Sequence, residues 1–450
     1  MERIGIITDD MTGTMTCGVL LAKKGISACS YFSGDDLRGA EEQEALILSA
    51  NSRNLSKEDA QAHVRSAYHA LAQRGAKYFT KRIDTTFRGG MGYEVDALLD
   101  ELPDDAIAVM AATMPDTRRI VVGGYSVIDN VVLTETGAGR DVLSPVKEAH
   151  IPTLMQSQSR RKVGAIYLQT VLSGEEALRT ALEQQKADGN KIIVIDAVST
   201  EHLHRIAQTV HNLGWNTVCV DPGAFTQQMA LCRGFGHPDR VPEGQKEQVD
   251  IPSCSEKVLV VAGSATEVTR RQIEKLAQSG YAADVSIHAG ELIDRSKEDN
   301  PEIRRSIEEA NRYLHDETSR VVVLETASTG ERLVLQDWEK KLGLPSRQAS
   351  ANINLGLGAI VRGIAFDPAN KDKISGIYMT GGDTLVTVLK ALGAAGIRLV
   401  DTVQPQTNLG RIIGGDFDGV RIVGKGGLIG DDETAVRVVS RLYYELQKNR

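Results

Sequence analysis

A chain of 450 residues is longer than one ordinary hydrophobic core supports, so two domains are expected. Hydrophobic residues make up 41% and charged residues 25%, a soluble globular composition, and the net charge of −8 argues against nucleic acid or an anionic membrane as the main partner. No run approaches the roughly 20 apolar residues that span a bilayer, and the N-terminus enters a strand without the layout of a signal peptide. The five cysteines (Cys17, Cys29, Cys219, Cys232 and Cys254) are scattered without CxxC spacing. That pattern points to reduced thiols in the cytoplasm and gives no zinc site. Forty-three glycines beside an aromatic share of only 4% suit an α/β enzyme with many tight βα turns.

The first element is a short apolar strand, Ile4, Ile6 and Ile7, ending at Thr8 and presenting two adjacent carboxylates, Asp9 and Asp10, before Thr12 and Gly13. In an open α/β sheet the carboxyl ends of strands are where ligands bind. One Asp is accounted for as the cap of the next helix; two repel each other unless a cation or polar ligand compensates them. A helix over 14–24 follows, then the strand Ala45–Ser49, which runs into Arg53, and an amphipathic helix over 57–74. Tyr78–Phe79 leads a strand into KRIDTTFRGG at 81–90. If that segment stays extended, Lys81 and Thr85 share one face. Its cations suit a carboxylate, Asp84 accepts from hydroxyls, and the glycines let backbone approach. A helix over 91–101 and strands at Ile107–Ala111, Val163–Tyr167, Lys191–Ile195 and Thr217–Val220 complete a βαβ alternation, which implies a mainly parallel sheet covered by helices.

Residues 235–256, with three prolines and little periodic apolar content, break the rhythm and read as a linker. They separate an N-terminal domain, 1–234, from a C-terminal one, 257–450, in which the alternation restarts. Here the expected elements are the strand Val258–Ala262 opening onto Gly263-Ser264, a helix over 267–278, a strand over 320–325, a helix over 330–342 and the strand Gly376–Thr380. The last runs into Gly381, Gly382, Asp383 and Thr384 at the start of a helix. A further loop, VGKGGLIGDDET at 423–434, carries Lys425, Gly426 and Gly427; its order is not that of a Walker A loop. Three glycine-rich turns at strand ends in one domain point to a nucleotide or phosphate, held by free backbone N–H groups with Lys425 as a cation.

In this order the motifs DDMTG at 9–13, KRIDTTFRG at 81–89, AGSATEVT at 262–269, TGGDT at 380–384 and KGGLIG at 425–430 resemble the four-carbon acid sugar kinase family, which comprises threonate, erythronate and 3-oxo-tetronate kinases. The resemblance implies an N-terminal domain that binds the acid sugar and a C-terminal domain that binds ATP, with γ-phosphoryl transfer to the sugar's terminal hydroxyl. It carries nucleotide binding onto Ser264, Gly381–Thr384 and Gly427, and substrate binding onto Asp9, Asp10, Arg53, Lys81, Asp84 and Arg88. The chain departs from the family pattern at Thr16, where an Asp is usual, and at Gly426 and Ile429, where a serine and an aromatic are usual.

The expected chemistry is that of a two-domain kinase using ATP and Mg²⁺. Lys81, Arg88 and Arg53 hold the substrate carboxylate, and Asp10, or else Asp9 or Asp84, accepts or orients the proton of the attacking hydroxyl. Closure about 235–256 excludes water. The expected partners are a small sugar acid and ATP, with neither nucleic acid nor membrane, and symmetry statistics favour a homodimer. Two other classes use the same residues: a metal-dependent hydrolase or aldolase built on Asp9, Asp10 and Asp84, and a non-catalytic sugar-acid-binding regulator on a kinase scaffold.

Overall fold

The computed structural model describes residues 2–141, 144–245, 249–294, 299–326, 333–370 and 372–448. The chain divides into two compact units, Met1–Val241 and Pro242–Arg450. Each is α/β. No helix among the described residues is long and apolar enough to cross a membrane, and the cysteines form no disulfide among them.

In the first unit the elements run β1 (Arg3–Thr8), α1 (Met11–Ala22), β2 (Ala28–Tyr31), β3 (Ala45–Ser49), α2 (Lys57–Gln73), β4 (Ala76–Arg82), α3 (Met91–Asp100) and β5 (Ile107–Met110). A small antiparallel sheet follows, β6 (Arg119–Val122), β7 (Tyr125–Ile128) and β8 (Val131–Val132). Then come α4 (Ile151–Gln158), β9 (Val163–Ile166), α5 (Leu168–Leu172), α6 (Glu175–Ala187), β10 (Ile192–Ile195), α7 (Thr200–Asn212), β11 (Thr217–Asp221) and α8 (Ala224–Cys232). The main sheet has the order β2-β3-β1-β4-β11-β5-β10-β9, with parallel pairing throughout. Continuous apolar runs such as Ile192–Ile195 are buried along their whole length, as parallel strands with both faces covered must be.

The position of β1 decides where the site lies. It pairs with β3 on one side (Thr8↔Ser49) and with β4 on the other (Thr8↔Arg82). The chain order reverses at this point, and the three strand ends deliver Asp9–Asp10, Arg53 and Arg82–Asp84 to one edge of the sheet. Crevices at such reversals are where open α/β sheets take ligands.

In the second unit the elements are β12 (Lys257–Ala262), α9 (Glu267–Ala277), β13 (Ala282–Ser286), α10 (Pro301–His315), β14 (Val321–Glu325), α11 (Leu335–Leu342), α12 (Gln348–Ala365), β15 (Ile374–Thr380), α13 (Gly382–Ala391), β16 (Gly396–Gln404), β17 (Thr407–Ile413), β18 (Arg421–Lys425) and α14 (Thr434–Gln447). Five strands, β13-β14-β12-β15-β18, are parallel, and β17 and β16 add an antiparallel extension. Side chains of β12, β14, β15 and β18 pack with α9 and α14 into one core around Val260, Val323, Tyr378, Val423 and Leu442.

Several expectations are redrawn. The first helix starts at Met11, three residues earlier than its apolar pattern suggested, because Asp10 caps it: the Asp10 carboxylate accepts from Gly13 N–H at 2.8 Å. The 235–256 segment is not a free tether. Its start packs on the first unit, where His237 N–H donates to Gly25 C=O at 3.1 Å and Phe235 meets Tyr78 edge-on. Its end, Ile251 and Cys254, enters the core of the second unit. Residues 246–248 of that segment lie outside the described residues, as do residues 330–332 of the helix expected over 330–342; the part described begins at Leu335.

Candidate active site

The first-unit site is a buried lattice of carboxylates and guanidiniums. Arg53 donates through Nε to Asp9 Oδ2 at 2.7 Å, lies 2.8 Å from Asp10 Oδ2 through Nη1, and reaches Asp84 Oδ1 at 3.7 Å. Arg82 Nη1 bridges Asp9 Oδ1 at 3.0 Å and Asp10 Oδ1 at 3.3 Å. Arg88 Nε donates to Asp84 Oδ2 at 2.6 Å while its Nη1 reaches Asp141 at 3.2 Å. Asp9, Asp84 and Arg82 are almost fully buried, whereas the Asp10 side chain keeps 27% of its surface open. Of the paired acids at the end of β1, Asp10 is therefore the one a ligand can touch.

The electrostatics separate the carboxylates further. Burial and the neighbouring Asp9 charge raise the Asp10 pKa above the usual carboxylate range, against the pull of Arg82, Arg53 and the Gly13 N–H. Burial would raise Asp84 too, but Arg53 and Arg88 override it and hold that carboxyl well below its ordinary value. Asp84 is thus a fixed anion, locked further by the Thr86 hydroxyl at 2.5 Å. The two residues expected to share catalysis are different in kind: Asp10 has a raised proton affinity, and Asp84 pairs with Arg53 and Arg88.

Gly13 makes this packing feasible. A Cβ at Gly13 would overlap the Arg82 guanidinium and stand 2.7 Å from Asp10 Oδ1. The glycine of the DDMTG motif is the space into which Arg82 inserts.

Lys81 does not join the cluster as expected, nor does it share an extended strand face with Thr85. Strand β4 ends at Arg82 and the chain turns, so the segment is not extended through Thr85. Lys81 is 1% exposed, and its ammonium pairs with Glu94 Oε2 at 3.0 Å and donates to Arg82 C=O at 3.0 Å; Ser52 completes the Glu94 contacts at 2.6 Å. The cation at the site is instead Arg82, one residue on. The signal for it lies in the same alternation: in a strand, Arg82 and Asp84 face opposite to Lys81. Thr16 lies on α1 with its hydroxyl donating to Thr12 C=O of its own helix at 3.0 Å, outside the lattice. Beside Arg53 opens a cavity of about 430 Å³ that reaches Gly89 and Tyr93 and continues to Lys147 and Gln158.

The second-unit site is assembled from three neighbouring strand ends. Ala262 of β12 is in register with Thr380 of β15, and Thr380 with Lys425 of β18. The turns after them carry Gly263-Ser264, Gly381-Gly382 and Gly426-Gly427, and they interlock. Gly381, at φ 101° where a side chain would be strained, donates its N–H to Lys425 C=O at 3.0 Å. Gly427 C=O accepts from the hydroxyls of Thr266 at 2.7 Å and Thr269 at 3.0 Å. A Cβ on Gly427 would overlap the Ser264 hydroxyl and stand 2.9 Å from Ser264 Cβ. Asp383 is exposed in the first turn of α13. Thr384 is buried, its hydroxyl donating to Asn354 Oδ1 at 2.7 Å, so it braces the loop instead of facing outward. Lys425 is 5% exposed with its ammonium on Gly426 C=O at 3.1 Å, and burial lowers its pKa to about 8.

A family model described as a sugar-binding N-terminal domain matches residues 4–229, and one described as a nucleotide-binding C-terminal domain matches residues 259–435. A D-erythronate kinase from Heliobacterium modesticaldum is 34% identical, the match covering 98% of this chain and 97% of that one. A D-threonate kinase from Salmonella typhimurium is 30% identical over 98% and 97% of the two chains. Among solved structures, a Salmonella typhimurium protein superposes with a TM-score of 0.77 at 22% identity, covering 97% of this chain and 98% of that one. A Haemophilus influenzae protein gives 0.75 at 21% identity, covering 98% and 100%; at these identities the two likenesses establish the fold. With both domain models matched in order and full-length relatives at this identity, the chain belongs to the four-carbon acid sugar kinase family.

Proposed function

We propose that the protein is an ATP-dependent kinase that transfers the γ-phosphoryl group to the terminal hydroxyl of a four-carbon sugar acid, with the first unit holding the acid and the second the nucleotide. The observation that carries this reading is Asp10: a carboxylate of raised pKa, partly open, fixed by its own helix cap and by two guanidiniums. Phosphoryl transfer asks little covalent chemistry of a protein; it asks for an oriented hydroxyl and for charge neutralisation. Asp10 accepts the proton of the attacking hydroxyl, or orients it, while Arg53 and Arg82 hold that carboxylate in place. Asp9 and Asp84 keep the two arginines oriented.

The turns of the second unit fit a nucleotide because a side chain at Gly427 would collide with Ser264, so the loop keeps a backbone surface for close approach. Ser264, Gly381, Gly382, Gly426 and Gly427 line the phosphate path. Lys425, buried with its ammonium on a single carbonyl, would gain a charge partner when phosphate arrives. Asp383, exposed at the start of α13, would hold the Mg²⁺ that enters with the nucleotide. When bound, that ion neutralises phosphate charge. The metal-cluster alternative fits less well, since Asp9, Asp10 and Asp84 each already carry an arginine.

Incubating the protein with Mg-ATP and a panel of D-erythronate, D-threonate, 3-oxo-tetronate and longer aldonates, with coupled ADP detection, tests the reading. ADP release that depends on a tetronate is expected. Tight binding of an acid without turnover at any ATP concentration would replace it with a binding regulator.

A further inference from the structure

The cavity beside Arg53 is left over once the ionic lattice is accounted for, and it bears on how the acid is recognised. The three cations expected to hold the substrate carboxylate, and Arg82 beside them, are already engaged. Lys81 is sealed against Glu94, Arg82 lies between Asp9 and Asp10, Arg88 between Asp84 and Asp141, and Arg53 contacts three aspartates. An incoming carboxylate that relied on these groups would compete with protein carboxylates held at 2.6–3.7 Å.

Lys147 is in a different position. It lines the same cavity, is exposed, and its ammonium makes one long contact, 3.4 Å to Gly139 C=O; no ion pair to it occurs among the described residues. The other lining groups divide by what they have left to offer. Gln158 is held by two backbone bonds, accepting from Gly92 N–H at 3.0 Å and donating to Gly89 C=O at 3.2 Å. Asn54 accepts from the Ser144 hydroxyl at 3.0 Å, which leaves its NH₂ as donor. The half-buried Tyr93 hydroxyl has no partner among the described residues. Glu148 is committed in part to His150 N–H at 2.7 Å, and its second oxygen remains an acceptor. The cavity therefore offers Lys147, Asn54 and Tyr93 as donors and Glu148 as an acceptor. A polyhydroxylated carboxylate presents the complementary set.

The second half of the KRIDTTFRGG motif builds this space. A Cβ on Gly90 would run into the Tyr93 ring, and one on Gly89, at φ 88°, would crowd the Arg53 backbone at 3.3 Å. The two glycines bring the Tyr93 ring and the Arg53 main chain together on one wall.

We propose that this cavity is the carboxylate subsite of the sugar acid, with Lys147 as the residue that selects an acid over the corresponding neutral polyol and Tyr93 as a hydroxyl or carboxylate donor beside it. The inference rests on the kinase reading above and assigns the carboxylate to a cation outside the Asp–Arg lattice. The bond is made equally in the ground and transition states, so its loss appears in KM and not in kcat. Lys147 is exposed, so replacing it leaves folding intact.

The test compares wild type, Lys147→Met, Lys147→Arg and Tyr93→Phe with D-erythronate, D-threonate and the uncharged alditols erythritol and threitol, by steady-state kinetics and by calorimetric binding without ATP. Lys147→Met should raise KM for the acids at least tenfold with kcat within about twofold, leave KM for ATP unchanged and erase the preference for acid over alditol. Lys147→Arg should restore most of the affinity, and Tyr93→Phe should weaken binding severalfold. Unchanged KM for the acids in Lys147→Met, with wild type active, overturns the subsite and leaves the kinase reading standing. If wild type binds D-erythronate but never turns it over, the kinase reading fails; a tenfold loss of that binding in Lys147→Met would still support the subsite.

Discussion

Replacing Gly13 with alanine sets two effects of opposite sign against each other. Gly13 lies in the first turn of α1, and on helix propensity alone alanine there would stabilise the fold by up to about 1 kcal/mol. The added Cβ, however, occupies the place of the Arg82 guanidinium and presses Asp10 Oδ1 at 2.7 Å. Arg82 has little freedom to yield, because it is almost fully buried and tied to Asp9 at 3.0 Å and Asp10 at 3.3 Å. Displacing it removes two hydrogen bonds between charged groups, each about 1.5–3 kcal/mol, and strands carboxylate charge in a buried place. The balance is a net loss of about 2–5 kcal/mol, together with a disordered Asp10 and a fall in kcat. Urea denaturation at pH 7 and steady-state kinetics read the two effects separately. A Gly13→Ala variant as stable as wild type, with unchanged kcat, would refute the claim that this glycine exists to admit Arg82.

Asp10→Asn keeps the helix cap, since asparagine caps as well as aspartate, but removes the proton acceptor; kcat should fall by about 10²–10⁴ while ADP affinity holds. Because burial and Asp9 raise the Asp10 pKa, activity should be lost as pH drops through a value above the ordinary aspartate range, and a pH–kcat/KM profile with its acid limb at the ordinary value would contradict this. Lys81→Met should cost about 3–5 kcal/mol in urea by leaving Glu94 charged and unpaired, and adding Glu94→Leu should recover much of it; a rise in KM without a stability loss would instead return Lys81 to the substrate site. Asp84 has its folded pKa depressed, so its contribution to stability is complete above the unfolded value of about 3.9 and is lost as pH falls below it. Asp84→Asn should therefore flatten the stability loss measured between pH 5 and pH 3. Gly427→Ala pushes on Ser264 and on a carbonyl held by two threonine hydroxyls, and should weaken ADP binding by about 2 kcal/mol, roughly thirtyfold, without changing affinity for the acid.

The parts of this structure that were legible in the sequence are those where one short pattern carries the whole reason. Apolar runs such as Ile192–Ile195 announce buried parallel strands, and polar residues placed directly after them, Asp9–Asp10 or Ser264, lie at the carboxyl edge of the sheet as expected. The antiparallel strands β16 and β17 were missed because their buried and half-buried residues do not alternate cleanly; β16 carries register shifts at Leu399/Asp401 and Thr402/Gln404 that break period two. Lys81 and Arg82 show a sharper limit. Both are cations at the end of one strand, and alternation says only that they point apart. Which of them meets the aspartates depends on Glu94 reaching in from α3 and on Gly13 leaving a gap in α1, contacts with partners 13 and 69 residues away in sequence. Thr384 differs likewise from its appearance, because the Asn354 that claims its hydroxyl sits on a different helix.

The lattice of Asp9, Asp10 and Asp84 with Arg53, Arg82 and Arg88 is hard to justify as a stabilising device. Buried ion pairs recover at best what their desolvation costs, and apolar side chains of the same volume would serve the fold as well. What the lattice provides is a carboxylate whose position and proton affinity are both set by neighbours. Remove Asp9 and the Asp10 pKa falls; remove Arg82 or Arg53 and it rises. Two opposing influences of this kind set the proton affinity of a half-buried acid, the property that matters in a base acting on a hydroxyl. The same argument supports the proposal that the substrate carboxylate binds elsewhere. A further anion inserted among these groups would shift the balance that holds Asp10 in its working state, whereas one bound at Lys147 leaves it undisturbed.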